Sequence, residues 1–311
     1  MALELRHLRY LLAVADHGTF TRAAEELHVS QPTLSHQVKQ LERTLHTQLL
    51  DRTGRTVRLT DAGAAYVEHA RRALRDLAAA ERSLHDVRDL SYGQLRLAAT
   101  PTFTAYLIGP LTAAFHTRHP GIALTVREMP QDRIESGLLA DELDLGIGFA
   151  GPHPPTIEAA PLFTEALSLV VGSPGTAADH AAHRTGPLSV HDVGQHRLAL
   201  LSGDFATRQH IDAYFTRHRV GPRITVEANS VHALIDIVQR TPLATVLPDA
   251  ITHDHPHLSP VQLDPALPTR TATLLTRADA YRSAAARAFV RLLRELVGER
   301  GYELVSSPDR D

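Results

Sequence analysis

The chain has 311 residues, a formal charge of −3 at pH 7, 43% hydrophobic and 22% charged residues, and no cysteine. That length supports two or three domains with real cores, and the composition is ordinary for a globular protein. Disulfides and thiolate metal sites are excluded by the lack of cysteine. Glu4, Arg6 and Arg9 interrupt the first apolar stretch, and no run of about 18 apolar residues occurs, so neither a signal peptide nor a spanning helix is expected and the chain is expected in the cytoplasm.

Leu5, Leu8, Leu11, Leu12 and Ala15 predict an amphipathic opening helix that ends at Gly18, a suitable C-cap. Residues 19–45 then read as two short helices joined by a tight turn. Thr19 can cap the first, in which Ala23, Ala24 and Leu27 share a face; His28 and Val29 make the turn. Ser30 can cap the second, with Pro32 in its first turn where no amide is needed. Leu34, Val38, Leu41 and Leu45 form the buried stripe of that second helix. Gln31, Thr33, Ser35, His36 and Lys39 form its other face: all hydrogen-bonding groups, none a carboxylate. Such a helix suits the major groove, where short polar side chains reach base edges and cations meet phosphates. Lys39 is the only lysine in the chain.

Residues 48–60 predict two short strands around a turn at Thr53-Gly54, with Arg52, Arg55 and Arg58 beside it: a wing whose arginines can meet phosphate or a narrow minor groove. Charge is partitioned to match. Residues 1–60 carry eight Arg/Lys against six Asp/Glu, and residues 31–60 carry five against two, while the remainder of the chain is net acidic. From Asp61 to Leu90 one long helix is expected. Tyr66, Ala70, Ala73, Leu77, Ala80, Leu84 and Val87 alternate at spacings of four and three, the seam of a coiled coil. Charged flanks (Arg71, Arg72, Arg75, Arg82, Arg88) argue that this seam pairs with a second copy of the chain rather than with its own domain.

The run A-A-E-E-L-H-V-S-Q-P-T-L-S-H-Q-V-K-Q-L-E, then D-R-T-G-R-T-V-R-L-T-D-A-G, then the long helix resembles the LysR-type transcriptional regulators in order and spacing, over nearly the whole chain. One departure is Leu50, where that family usually has Phe. The resemblance implies double-stranded operator DNA as partner, contacted by Thr21, Gln31, Pro32, Thr33, Ser35, His36, Lys39, Arg52 and Arg55. It also implies a small-molecule effector, a dimer or tetramer of the chain itself, and RNA polymerase as a partner left open.

After Ser91-Tyr92-Gly93 the pattern becomes alternating strands and helices. Strands are expected at 95–99, 122–128 and 143–149, with helices at 103–118 and 133–140, the signature of a parallel sheet covered on both faces. A Pro-rich break at Pro152, Pro154 and Pro155 precedes a second such unit. Strands at 166–171, 198–202, 224–228 and 244–247 and helices at 206–218 and 231–239 belong to it. A strand at 270–276 and a helix at 283–297 return to the first unit, so the chain crosses near Pro161 and near residues 265–268. The fold class is α/β: an N-terminal winged helix-turn-helix (1–60), a linker helix (61–90), then a two-lobed periplasmic-binding-protein-like effector domain (91–302). Lobe I is 93–161 with 268–302, lobe II is 162–267, and a polar tail runs from 303 to 311.

In such lobes ligands bind beyond the C-terminal ends of strands, against helix starts. Thr100-Pro101-Thr102, Ser202 to Thr207 and Asn229-Ser230 are junctions of that kind, rich in hydroxyls and amides. Candidate effector contacts are Thr100, Pro101, Thr102, Phe149, Ser202, Phe205, Thr207, Asn229 and Ser230. Helix-start amides and hydroxyls can hold an anion without a lysine; Arg208 is the nearest possible counter-charge, its helix position being equally suited to face solvent. The runs at 101–111, 204–208 and 227–230 are similar to regulators of bacterial cyanate-utilisation operons, which implies a small anion such as cyanate as effector. No cofactor is implied. His253-Asp254-His255-Pro256-His257 places three imidazoles together but lacks a second cluster to close a metal site. No phosphate loop, Ser-His-Asp set or metal-hydrolase motif points to an enzyme, and an exported solute-binding protein would not carry residues 1–90.

Overall fold

In the computed structural model the described residues are 4–53, 56–86, 90, 92–172, 186–278 and 280–300. They divide into two compact units, Met1–His85 and Asp86–Asp311.

The first unit packs three helices and a small hairpin. Helix α1 (Leu5–His17) ends at Gly18, whose φ of 66° is the left-handed conformation a helix C-cap needs. Helix α2 (Phe20–Glu26) is capped by the Thr19 hydroxyl, and α3 (Gln31–Thr44) by the Ser30 hydroxyl, which accepts from the Thr33 amide at 3.3 Å. His28, with φ of 53°, turns the chain between them. Leu34, Val38 and Leu41 are almost wholly buried with Leu11, Val14, Ala23 and Ala24. Buried His7 adds a polar tie: its Nδ1 accepts the Glu4 amide, so Nε2 carries the hydrogen and donates to Gln37 Oε1 of α3 at 2.9 Å. Strands β1 (Leu50–Asp51) and β2 (Arg58–Leu59) pair antiparallel as the wing.

Helix α4 (Asp61–Asp86) follows. At Gly63 a Cβ would lie 2.0 Å from the Leu49 carbonyl oxygen, so only glycine permits this approach of helix to wing. The expected seam divides. Ala70 and its neighbour Val67 are 4% and 3% exposed, and Tyr66 packs partly against the same core. Leu77, by contrast, is 42% exposed. The first turns of the seam therefore belong to the unit's own core, a use the spacing alone did not distinguish from chain pairing. Val87 and the Leu84 side chain lie outside the described residues, as do Gly54 and Arg55 of the wing and the tail beyond 300.

The second unit holds two five-stranded sheets. The lobe I sheet runs β4 (Ile122–Glu128), β3 (Gly93–Ala99), β5 (Leu145–Phe149), β14 (Arg270–Arg277), β6 (Ile157–Glu165). The lobe II sheet runs β10 (Arg223–Ala228), β9 (Arg197–Leu201), β11 (Ala244–Pro248), β7 (Leu167–Gly172), β12 (Leu258–Val261). Strands β3, β4 and β5 are parallel, as are β9, β10 and β11. The crossover strands β14 and β7 join antiparallel, so both sheets are mixed rather than purely parallel.

Strand β6 was not expected, because Pro161 argues against a ladder. It is tolerated at the sheet edge, where the register against β14 shifts between Ala272 and Thr273. Lobe I consequently extends through Glu165, and the chain crosses at Ala166, later than Pro161. Strand β12 holds Pro260 at the other sheet's edge for the same reason.

The helices that position the cleft lie at the ends of these strands. Helix α5 is built from Pro101–Phe103, a π-helical stretch Thr104–Ile108 and Gly109–Arg118. Helix α6 is Gln131–Leu139; short β8 (Leu188–Ser189) and α7 (Val190–Val193) lead to β9. Helix α8 is Ala206–Arg217 and α9 is Val231–Arg240. Short α10 (Asp249–His253), β13 (Leu263–Asp264) and α11 (Ala284–Glu299) complete the unit. No described helix is long and apolar enough to cross a membrane.

Candidate functional site

On the first unit, Gln31, Pro32, Thr33, His36 and Lys39 of α3 and Thr21 of α2 are exposed, and Ser35 is half-buried. Positions 31, 35 and 39 recur every four residues and so share one face of α3. The Thr33 hydroxyl is 2.7 Å from Ser30 Oγ, so it is partly engaged in the cap.

Arg52 behaves differently from a free phosphate ligand. Its Nη2 donates to Glu42 Oε2 at 2.7 Å, its guanidinium lies 5.4 Å from the Phe20 ring centroid, and its Nε is buried. The other Glu42 oxygen accepts the Leu49 and Leu50 amides at 3.0 Å each. One carboxylate thus ties α3, the wing strand and Arg52 together. By its place in the wing Arg52 reads as an outward cation; the partner that turns it inward lies ten residues away in the chain.

In the second unit a cleft of about 780 Å³ is lined from both lobes. Lobe I supplies Thr100, Pro101, Thr102, Phe149 and the β4–α6 junction; lobe II supplies Phe205, Thr207, Gln209 and Asn229. Its floor is buried: Thr100 is 4% exposed, Thr102 1%, Thr207 2% and Phe149 7%. The Thr100 hydroxyl is buried without a partner. Thr102 Oγ1 and Thr207 Oγ1 face each other across the lobes at 3.4 Å. Exposed carboxylates of Glu128, Asp132 and Asp204 also line the cleft and form an acidic rim. Gln131 braces the wall, accepting the Phe149 amide at 2.8 Å and donating to its carbonyl at 3.1 Å.

Helix starts differ in a way that follows the cleft. Helices α2, α3, α7, α9 and α11 are capped by the hydroxyls of Thr19, Ser30, Ser189, Ser230 and Ser283. Helices α5, α6 and α8, which begin at the cleft behind Thr100, Pro130 and Phe205, have no side-chain cap. Short α10, behind Pro248, also lacks one. At α5 and α6 the Phe103 and Arg133 amides already bond the Thr100 and Pro130 carbonyls, which leaves the other first-turn amides to meet a ligand.

Two sequence candidates are absent from the lining. Ser202 donates to Asp204 Oδ1 at 2.5 Å, and Ser230 caps α9 by accepting the Ala233 amide at 3.3 Å; each hydroxyl is used locally. Arg208 is no counter-charge for the cleft either. It donates to Asp212, Glu227 and the Leu201 carbonyl. Burial opposes its charge, yet Glu227 and Asp212 outweigh that and raise its pKa.

The cation behind the floor is instead Arg270, which the sequence did not single out. Its Nε donates to Glu165 Oε2 at 2.5 Å and its Nη1 to Thr207 Oγ1 at 2.8 Å. Its guanidinium stacks 3.9 Å from the Phe149 ring centroid, and Tyr106 donates to the other Glu165 oxygen at 2.6 Å. The β4–α6 junction, also missed, follows the same strand-end rule as the others but carries no hydroxyl to flag it. At residues 253–257, and elsewhere among the described residues, no group of three or more His, Asp or Glu is placed to hold a metal ion.

A helix-turn-helix with a wing, followed by a two-lobed α/β domain with an interlobe cleft, defines a class of DNA-binding transcriptional regulators that carry their own effector domain. Residues 5–64 match the bacterial regulatory helix-turn-helix protein family of LysR type, and residues 88–298 match the LysR substrate binding domain. The chain belongs to the LysR family of transcriptional regulators. It is 31% identical to the nitrogen assimilation regulatory protein nac of Klebsiella aerogenes, over 80% of this chain and 79% of that protein. It is 32% identical to the RuBisCO operon transcriptional regulator of Allochromatium vinosum, over 70% of each. Among solved structures, full-length CbnR complexed with its target DNA shares 26% identity and a TM-score of 0.55, covering 94% of this chain and 99% of that one. A full-length OxyR variant from Pseudomonas aeruginosa superposes with a TM-score of 0.70 at 24% identity, over 99% and 100% of the two chains. Members of this family act by binding DNA under control of an effector, not by catalysis.

Proposed function

We propose that this regulator reads its operator with the exposed face of α3 and responds to an anionic effector held at the cleft floor. In this reading Gln31, Ser35 and His36 contact base edges, Thr21, Pro32, Thr33 and Lys39 position the helix on the duplex, and Arg52 holds the wing in place through Glu42. Arg55 belongs to the same interface by its place in the wing sequence. The outer part of α4, from Leu77 onward, pairs two chains, and contacts between lobes pair the dimers; RNA polymerase is the further partner if the regulator activates.

The observation that carries the effector reading is the buried floor: three threonine hydroxyls, one with no partner, backed by a guanidinium and by uncapped helix starts. Donors preset in a buried site suit an anion. Cyanate is one small monovalent anion that this chemistry would accept. A volume of about 780 Å³ lies in the range of sites for larger organic ligands. Together with the rim of Glu128, Asp132 and Asp204, it favours an organic anion that carries hydrogen-bond donors at its far end.

Titration calorimetry on the full chain with cyanate and a panel of small carboxylates tests this. Binding that weakens by about tenfold or more in Thr102→Ala is the expected result, one hydrogen bond to a charged group being lost. Binding of a bulky neutral compound alongside silence from every anion would sink the anion reading and leave the regulator standing.

A further inference from the structure

We propose that Arg270, which does not itself line the cleft, sets the cleft's selectivity by fixing the direction of the Thr207 hydroxyl. This rests on the anionic-effector reading above and names the residue that enforces it. A threonine hydroxyl is one donor and two acceptor lone pairs, so unconstrained it can greet either kind of ligand group. At Thr207 that freedom is removed. Arg270 Nη1 donates into Oγ1 at 2.8 Å, an arginine cannot be an acceptor, and the hydroxyl's own hydrogen must therefore point elsewhere. The nearest acceptor is Thr102 Oγ1 at 3.4 Å, a long contact that an anion entering the floor would better.

Arg270 is itself immobilised. Its side chain is 7% exposed and Glu165's 2%. The two are direct partners in the β6–β14 ladder, at the last residue of β6 and the first of β14. Glu165 is in turn held by the Tyr106 hydroxyl, and Phe149 lies against the guanidinium. Arg270 Nη2 is buried with no partner, so the guanidinium keeps an unfilled donor. The chain Tyr106–Glu165–Arg270–Thr207 thus delivers a polarised donor to the floor without placing the cation in contact with the ligand. Because β6 leaves lobe I at Glu165 and β14 enters it at Arg270, the same bond links floor occupancy to the crossover between lobes.

The test uses the full chain, with acetate and acetamide as probes of equal size that differ in exchanging an anionic oxygen for a donor group, and cyanate as a third. Wild type should prefer acetate. Arg270→Lys keeps a charge for Glu165 but loses the planar fork whose Nε and Nη1 address Glu165 and Thr207 separately, and should lower the acetate-to-acetamide preference by about tenfold. Thr207→Val should do the same, Thr207→Ser should not, and the double change Arg270→Lys with Thr207→Val should add nothing further. If Arg270→Lys fails to fold, as a melting curve shows, the Val and Ser changes decide, and equal behaviour of the two overturns the proposal. Wild-type preference for acetate that Arg270→Lys leaves unchanged, or additive effects in the double change, overturns it while the anionic effector stands. Wild-type preference for acetamide, or no binding of acetate and cyanate, removes the anionic effector and this proposal together.

Discussion

Gln31, His36 and Lys39 are exposed along one helix, within nine consecutive residues. Thr102, Thr207 and Phe149 are at most 7% exposed, and the arginine that organises them lies 63 residues from Thr207. The first surface meets a large charged partner from outside, so its groups can stay solvated until binding, and each is replaceable without touching a core. In the function proposed above the second would enclose a small ligand and would have to hold its donors in place beforehand, in a low-dielectric floor where a lost partner is costly. Changes on the α3 face should therefore alter DNA binding with little effect on folding, whereas changes at the floor should couple to both.

The largest expected effect tests whether the first unit's surface works singly or in pairs. Leu77→Asp places a charge on the exposed outer part of α4. It should dissociate the dimer and weaken binding to a two-half-site operator by roughly 10²–10⁴-fold through lost avidity. Sedimentation showing an unchanged oligomer would remove α4 as the pairing element.

Glu42→Ala is a deliberate exception to the outward rule, since Glu42 lies beneath the recognition surface. It strips partners from Arg52 and from two backbone amides, and should cost about 3 kcal/mol, as expected when one member of a largely buried pair is removed. Thermal unfolding of the full chain measures it; a melting curve identical to wild type would show that the Glu42 brace is dispensable.

Next come two changes on α3 itself. Gln31→Ala should cost about 1–3 kcal/mol on the preferred operator and relax preference at one base position. Lys39→Gln should weaken all sequences alike and reduce the salt slope by about one. Binding measured on a set of single-base operator variants at two salt concentrations separates them. Neither should shift the melting curve; if either did, the surface would not be independent of the core.

The smallest effect concerns the wing. Hydrogen bonds from the Thr53 amide and hydroxyl hold the Asp51 carboxyl below its ordinary value; slight desolvation opposes and Arg58 adds to them. A depressed carboxyl contributes stability above its unfolded pKa of about 3.9, and that contribution is lost as pH falls through the lower folded value. Wild type should therefore lose stability relative to Asp51→Asn only as pH drops below about 4. Equal pH profiles for the two proteins would show that the Thr53 bonds do not matter to the wing.

How much of this was readable in advance follows from the same contrast. The helix-turn-helix was legible because its signals are local. Thr19 and Ser30 cap the helices that follow them, Gly18 ends the one before, and Leu34, Val38 and Leu41 repeat at helical spacing. Parallel strands and their helices were legible by period, and the strand-end rule brought Thr100, Thr102, Thr207 and Asn229 to the cleft. Ser202 and Ser230 obey the same rule, yet their hydroxyls are taken by Asp204 and by a helix start, a competition that spacing does not display. Pro161 concealed β6, because whether a proline is tolerated depends on the strand standing at a sheet edge.

The amino-acid sequence by itself thus determined the family, the helix-turn-helix and the two-lobed plan, since periodicity, caps and composition act over a few residues. Tertiary structure alone decided which charges face a ligand and which are spent inside. Arg52 reads as a free cation and Arg208 as a possible counter-charge, and both are paired with carboxylates, while Arg270 reads as an unremarkable strand residue and stands behind the cleft floor. Side-chain partners 10, 63 and 105 residues apart in the chain are chosen by packing, and a charge's role is fixed by the partner it meets.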